Sequence, residues 1–105
     1  MKIMKFGGTS VGKPERMYEV AKLITKDEES KIVVLSALSG TTNALVEISD
    51  SLSRGDREAA KNQIGALNDH YNKFCSQLLT TEAALEKATA ITTEHFEFLN
   101  IILKI

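Results

Sequence analysis

The chain has 105 residues, 43% of them hydrophobic and 26% charged, with a formal net charge of -1 at pH 7. That length holds one domain, or part of a larger one, and the composition is that of a folded globular protein. The near-neutral charge gives no pull toward nucleic acid or an anionic membrane, and no apolar run reaches the roughly 18 residues of a membrane span.

Residues 2–6 are predicted as a short strand, with Ile3 and Lys5 on one side and Met4 and Phe6 on the other. Its N-terminal residues show no cleavage pattern of a signal peptide. The strand leads into Gly7-Gly8-Thr9-Ser10-Val11-Gly12-Lys13, and Pro14 suits the first position of a helix. Met17, Val20, Ala21 and Ile24 recur at helical spacing and predict a helix over 14–26. A strand, a glycine turn and a helix start make a phosphate cradle. Glycines let backbone N–H groups approach an anion, and the helix adds its unpaired N–H groups and positive dipole end. Lys5, at the mouth of the turn, would add a mobile positive charge.

After the charged loop Asp27-Glu28-Glu29-Ser30 comes Lys31-Ile32-Val33-Val34-Leu35. This run lacks alternation and predicts a strand covered on both faces, as in a parallel sheet. Strand, helix and strand then form a right-handed βαβ unit. The second strand runs into Ser36-Ala37-Leu38-Ser39-Gly40-Thr41-Thr42-Asn43. Ligands of open α/β sheets bind beyond the carboxyl ends of the strands, so the glycine loop and this hydroxyl-rich loop are expected to share one edge.

Thr41 or Thr42 is expected to cap a helix that carries Leu45, Ile48 and Leu52 inward and ends near Gly55. Arg54-Gly55-Asp56 spells an adhesion tripeptide but reads as a helix stop followed by the next helix's N-cap. From Asp56, Ala60, Ile64, Leu67, Tyr71, Phe74 and Leu78 form a continuous seam that another helix must cover. Thr80-Thr81 makes a break and a cap. A second long helix presents Leu85, Ala88, Phe96, Leu99 and Ile102 or Leu103, so the two form an antiparallel hairpin. Cys75, the only cysteine, excludes an intrachain disulfide, fits a reducing cytoplasm and reads as a small apolar helix residue. His70 and His95 lie 25 positions apart with no ligand pattern around them, so no metal site is expected. The strongly apolar end, Phe96 to Ile105, and a sheet of only two short strands lead to the expectation of a fragment.

Gly7, Gly12 and Lys13 match the opening of a Walker A loop, but Pro14 stands where a hydroxyl must meet magnesium. The plain alternative is that the glycines serve only a tight turn. Met4-Lys5-Phe6-Gly7-Gly8-Thr9-Ser10-Val11 resembles the N-terminal signature of the aspartate kinases, within the amino acid kinase superfamily. Val33 to Asn43 resembles that family's second motif.

The resemblance implies a three-layer α/β/α fold of the amino acid kinase (carbamate kinase-like) type. Residues 1–105 would be the N-terminal portion of its catalytic domain. It also implies phosphoryl transfer from ATP, with Mg2+, to the side-chain carboxylate of L-aspartate, giving 4-phospho-L-aspartate for lysine, methionine and threonine synthesis. Matched by position, Lys5 is the catalytic lysine. Lys5, Phe6, Gly7, Gly8, Thr9 and Ser10 bind the nucleotide, and Ser36 and Thr42 bind aspartate. Such chemistry needs positioned donors and charge around the transferred group more than covalent help. The family's downstream Gly-Glu motif, its Gly-rich stretch with Arg and Asp, its base pocket and its regulatory ACT domains have no counterpart before Ile105. The chain alone is therefore expected to be inactive and to associate as a homo-oligomer, a dimer. Two other readings are a complete small nucleotide- or anion-binding module and a helical interaction domain working through residues 60–78.

Overall fold

The computed structural model describes residues 1–105, which divide into two compact units, Met1–Thr41 and Thr42–Ile105. The first contains β1 (Lys2–Phe6), α1 (Pro14–Ile24) and β2 (Lys31–Leu35). The strands pair in parallel, in register from Lys2 opposite Lys31 to Phe6 opposite Leu35, which is the expected βαβ unit. Lys13 is extended at the head of α1 and Pro14 opens it, so the ring's missing N–H is no loss. The helix stops two residues before the predicted end, where Thr25 folds its hydroxyl back onto the Ala21 carbonyl at 2.8 Å. Val20 is buried and Met17 and Ile24 are half-buried, so three residues of the predicted stripe are packed, while Ala21, the fourth, is exposed.

Burial on both faces of β2 is not what the structure shows. Lys31 and Val33 are half-buried, while Ile32 and Val34 remain 48% and 47% exposed, alongside Ile3 at 72%. One crossover helix shields one face of a two-stranded sheet, and an unbroken apolar run does not supply a second layer.

At the N-terminal ends of the strands, Lys2 and Lys31 converge on Asp27, with Nζ to carboxylate distances of 3.0 Å each. The Lys31 ammonium also donates to the Ile24 carbonyl at 2.6 Å, on the negative end of α1. Hydrogen bonds from Lys2, then Lys31, then the Glu29 N–H hold the Asp27 carboxyl well below the usual carboxylate range.

The second unit is helical. α2 (Thr41–Ser53) crosses into it, followed by α3 (Arg57–Leu78) and α4 (Glu82–Leu103). Thr41 is already the first helical residue of α2 and is buried. At the other end, Gly55 takes φ +74, its N–H bonds to the Leu52 carbonyl, and the Asp56 N–H bonds to the Ser51 carbonyl. These two bonds form a Schellman stop. The Asp56 carboxylate then accepts from the Ala59 N–H at 3.0 Å and caps α3, so the tripeptide is a stop and a start. Thr81 caps α4 in the same way, accepting from Ala84 at 3.2 Å.

Ala60, Ile64, Leu67 and Phe74 of the predicted seam are buried, with Tyr71 and Leu78 half-buried. Phe96 of α4 packs into it, its ring centroid 5.8 Å from that of Tyr71. Arg57, at the start of α3, donates to the carbonyl of Leu103 at the end of α4, so the hairpin is antiparallel. α2 joins the same cluster through Ile48, with Ala44 and Leu52 beside it. Leu45, expected inside, is 42% exposed. The inward face runs through Ala44, Ile48, Ser51 and Leu52, and the Ser51 hydroxyl, fully buried, donates to Gln63 at 2.9 Å and accepts from Arg54 at 3.3 Å. No helix is long and apolar enough to cross a membrane.

Candidate functional site

β1 delivers Lys5 and Phe6 to opposite faces at its carboxyl end. Lys5 is exposed, and its ammonium has no hydrogen-bond or ion-pair partner, unlike those of Lys2 and Lys31. The Phe6 side chain faces the helix. With Thr9, Ser10, Arg16, Val20 and Leu23 it lines an open cavity of about 290 Å³. Its carbonyl accepts from the Ser36 N–H at 3.1 Å, which fixes the end of β2 beside the end of β1.

The glycine loop folds on a short turn, with the Ser10 N–H donating to the Gly7 carbonyl at 3.0 Å. The N–H groups of Gly8 and Thr9 have no partner in the chain. Such a run of unclaimed backbone donors is the raw material of an anion nest. The three glycines here differ in why they are glycine. None has a positive φ, a conformation confined to Gly40 and Gly55, so the turn itself does not demand them. A Cβ on Gly12 would stand 2.9 Å from the Gly8 carbonyl oxygen and 3.0 Å from Ser39 Cβ. One on Gly8 would lie 3.6 Å from Ser36 Oγ and 3.8 Å from the Ala37 carbonyl oxygen. Only Gly12 is thus required for the loop after β1 to pack against the loop after β2, since a Cβ on Gly8 would make ordinary contacts. Gly7 has neither reason, because a Cβ there would meet nothing within 4 Å. A glycine that neither conformation nor packing requires leaves backbone open to something outside the chain.

The structure therefore brings Lys5, Gly7, Gly8, Thr9, Ser10 and Ser36 to one end of the β1–β2 sheet, as the topology predicts. The Ser36 hydroxyl is exposed and donates to the Ala37 carbonyl at 3.0 Å. Thr42 is exposed in the first turn of α2 and belongs to the second unit. One participant escaped the reading of the sequence: Arg16, whose Nη1 donates to the Thr9 carbonyl at 2.9 Å. A cation in the first turn of a helix opposes the dipole and so calls for a local partner, which is the signal that could have found it.

No group of three or more His, Cys, Asp or Glu side chains gathers where a metal could sit. His70 lies beside Tyr71, with ring centroids 6.1 Å apart. Partial burial pushes the Cys75 thiol up, away from the reactive thiolate.

Comparison with known proteins adds the relatives. The model of the "Amino acid kinase family" matches residues 1–100. Aspartokinase 3, chloroplastic, of Arabidopsis thaliana is 36% identical over 104 residues, which are 97% of this chain and 18% of that protein. The lysine-sensitive aspartokinase 3 of Escherichia coli K12 is 42% identical over 55 residues, 52% of this chain and 12% of the relative. A Haemophilus influenzae protein whose name marks it as an inactive aspartokinase 3 is 40% identical over 58 residues, 55% of this chain and 48% of its own length. The chain thus spans less than a fifth of the Arabidopsis relative.

Proposed function

The chain belongs to the amino acid kinase family, and from that premise we propose that it forms the nucleotide-binding edge of an aspartate kinase. In the full-length protein, a side-chain carboxylate oxygen of L-aspartate attacks the γ-phosphorus of ATP. The bond from that phosphorus to the β–γ bridging oxygen breaks, leaving ADP and 4-phospho-L-aspartate, an entry compound for lysine, threonine and methionine synthesis. Negative charge spreads over the transferred oxygens, and the protein's task is to place donors and cations around it.

Lys5 is the cation. Its unpaired ammonium at the strand end serves as a point charge with three rotatable donors. The backbone of Gly7, Gly8 and Thr9, with the Ser10 hydroxyl, cradles the phosphates, and Phe6 anchors the strand end beneath them. Ser36 holds aspartate through its hydroxyl. Mg2+ comes with the nucleotide, since magnesium is bound largely through substrate phosphates and its own waters. The observation that carries the reading is a Lys5 ammonium without a partner at the end of a strand that runs into Gly7, where a Cβ would meet nothing within 4 Å.

The decisive experiment is Lys5→Ala in the full-length protein, scored as ATP-dependent aspartyl phosphate. A fall in kcat of at least about a hundredfold is expected, the scale of losing one charge-stabilising group. A near-normal kcat removes Lys5 from the chemistry. The 105-residue chain by itself should give no turnover. The short Haemophilus relative, named as inactive, supports that expectation and also favours a second reading, a nucleotide-binding module without catalysis. Calorimetry separates the two: a complete module binds ATP tightly, and one edge of a larger site binds it weakly. The lone Cys75 accords with a reducing compartment such as the cytoplasm.

A further inference from the structure

Arg16 occupies the third position of α1, where its charge faces the positive end of the helix dipole. The guanidinium spends that charge on one acceptor, the Thr9 carbonyl, seven residues back. The Thr9 carbonyl and the Ser10 N–H are the two poles of one rigid peptide plane, pointing in opposite directions. The Ser10 N–H is itself bound to the Gly7 carbonyl at 3.0 Å. One peptide plane is thus clamped from both sides, by a charged donor on the helix and by the turn. The peptides immediately before it carry the unclaimed N–H groups of Gly8 and Thr9. The Gly7 carbonyl that accepts from Ser10 shares its peptide plane with the Gly8 N–H, so the clamp reaches that donor through the turn bond and limits the Thr9 N–H that lies between the two held planes.

We propose that Arg16 is a positioning residue that presets the glycine loop for a nucleotide's phosphates, without touching them. This rests on the reading of the loop as an ATP cradle. A loop that no longer holds one arrangement binds with an affinity reduced by the fraction of time it is competent, so the cost falls on ATP and not on aspartate. Arg16 also contributes its aliphatic stem to the cavity lined by Phe6, Val20 and Leu23, and a test must keep that packing.

The experiment compares Arg16→Met, which keeps the stem and loses the donor, with Arg16→Lys, which restores one donor, in the full-length protein. For Arg16→Met, KM for Mg-ATP should rise by about fivefold or more, with KM for aspartate within about twofold and the melting temperature unchanged. Arg16→Lys should fall between parent and Met variant. An unchanged ATP KM overturns the proposal, as does an equal rise in both KM values with a lower melting temperature, the mark of a merely structural role. Amide hydrogen exchange at Ser10 reads the clamp directly, without turnover. Faster exchange in Arg16→Met supports the clamp and parental exchange overturns it. A parent protein that forms no aspartyl phosphate overturns the kinase reading instead, and the nucleotide role of Arg16 with it, while the exchange result still judges the clamp.

Discussion

The two units of this chain are held together by different means. Met1–Thr41 buries two apolar side chains deeply, Val11 and Val20, whereas Thr42–Ile105 buries Ile48, Ala60, Ile64, Leu67, Phe74 and Phe96. The second unit is a helical core in the ordinary sense, its cohesion carried by side chains that interlock. The first replaces core with backbone hydrogen bonds, glycine contacts and an ion cluster at one end of its strands. The candidate site thus belongs to the unit with fewer buried apolar side chains, one of which, Val11, anchors the glycine loop from within.

The sharpest test of this contrast sets Phe96→Ala against Val20→Ala. Removing the Phe96 ring should cost about 3–5 kcal/mol, read as a lower urea midpoint. Val20→Ala should cost about 2 kcal/mol, at ~0.8 kcal/mol for each buried methylene-sized group lost. Equal losses at the two positions would mean that the first unit depends on its core as heavily as the second. Gly12→Ala probes the other kind of cohesion. Its Cβ would press on the Gly8 carbonyl and on Ser39, a backbone group and a side-chain base that cannot simply swing away. About 1–3 kcal/mol of overpacking is expected, with a higher ATP KM in the full-length protein as the loop shifts. A Gly12→Ala protein with parental stability and ATP affinity would show that the two loops are not wedged together.

Much of this architecture was legible because it is written in local signals. Pro14, Gly55, Asp56 and Thr81 mark helix ends by rules of dihedral angle and orphan N–H groups, and each stands where the structure puts an end. The α3 seam follows from spacing alone. What escaped depends on contacts between residues far apart in sequence. A Cβ on Gly12 would meet Ser39 as well as the Gly8 carbonyl, and no local pattern announces the Ser39 contact. On α2, Ile48 and Leu52 face the core as their spacing predicts, but Leu45 does not, and counting apolar positions passes over Ser51, which is buried with its hydroxyl bonded to Gln63 and Arg54. At the site, the meeting of the two loops followed from parallel topology, but the Arg16 bond did not, since a pattern of glycines says nothing about what steadies them.

Smaller effects are expected at the caps of the helical unit. Asp56→Ala and Thr81→Ala each leave an N–H at a helix start without its side-chain acceptor. Each should cost about 1 kcal/mol in the urea midpoint. The double variant should be additive within about 0.5 kcal/mol, since the caps share no partner. Strong coupling between them would mean that the hairpin's two ends act as one.

The smallest effect belongs to the first unit and depends on pH and salt. Asp27 has its carboxyl held below the usual range by Lys2, Lys31 and the Glu29 N–H, so the folded state binds its proton less readily than the unfolded chain. Its contribution to stability is therefore fully present above the unfolded carboxylate value of about 4 and is lost as pH falls from there toward the lower folded value. Asp27→Asn should flatten the acid limb of the stability profile and leave the helical unit's response to Phe96→Ala unchanged. The pair with Lys2 is exposed on both sides, so raising the salt concentration should shrink even this effect. An acid limb as steep in Asp27→Asn as in the parent would place the pH sensitivity on other carboxylates. The strand ends would then rest on the strand ladder, the Lys31 bonds to the Ile24 and Asp27 carbonyls and the Lys2–Glu29 pair.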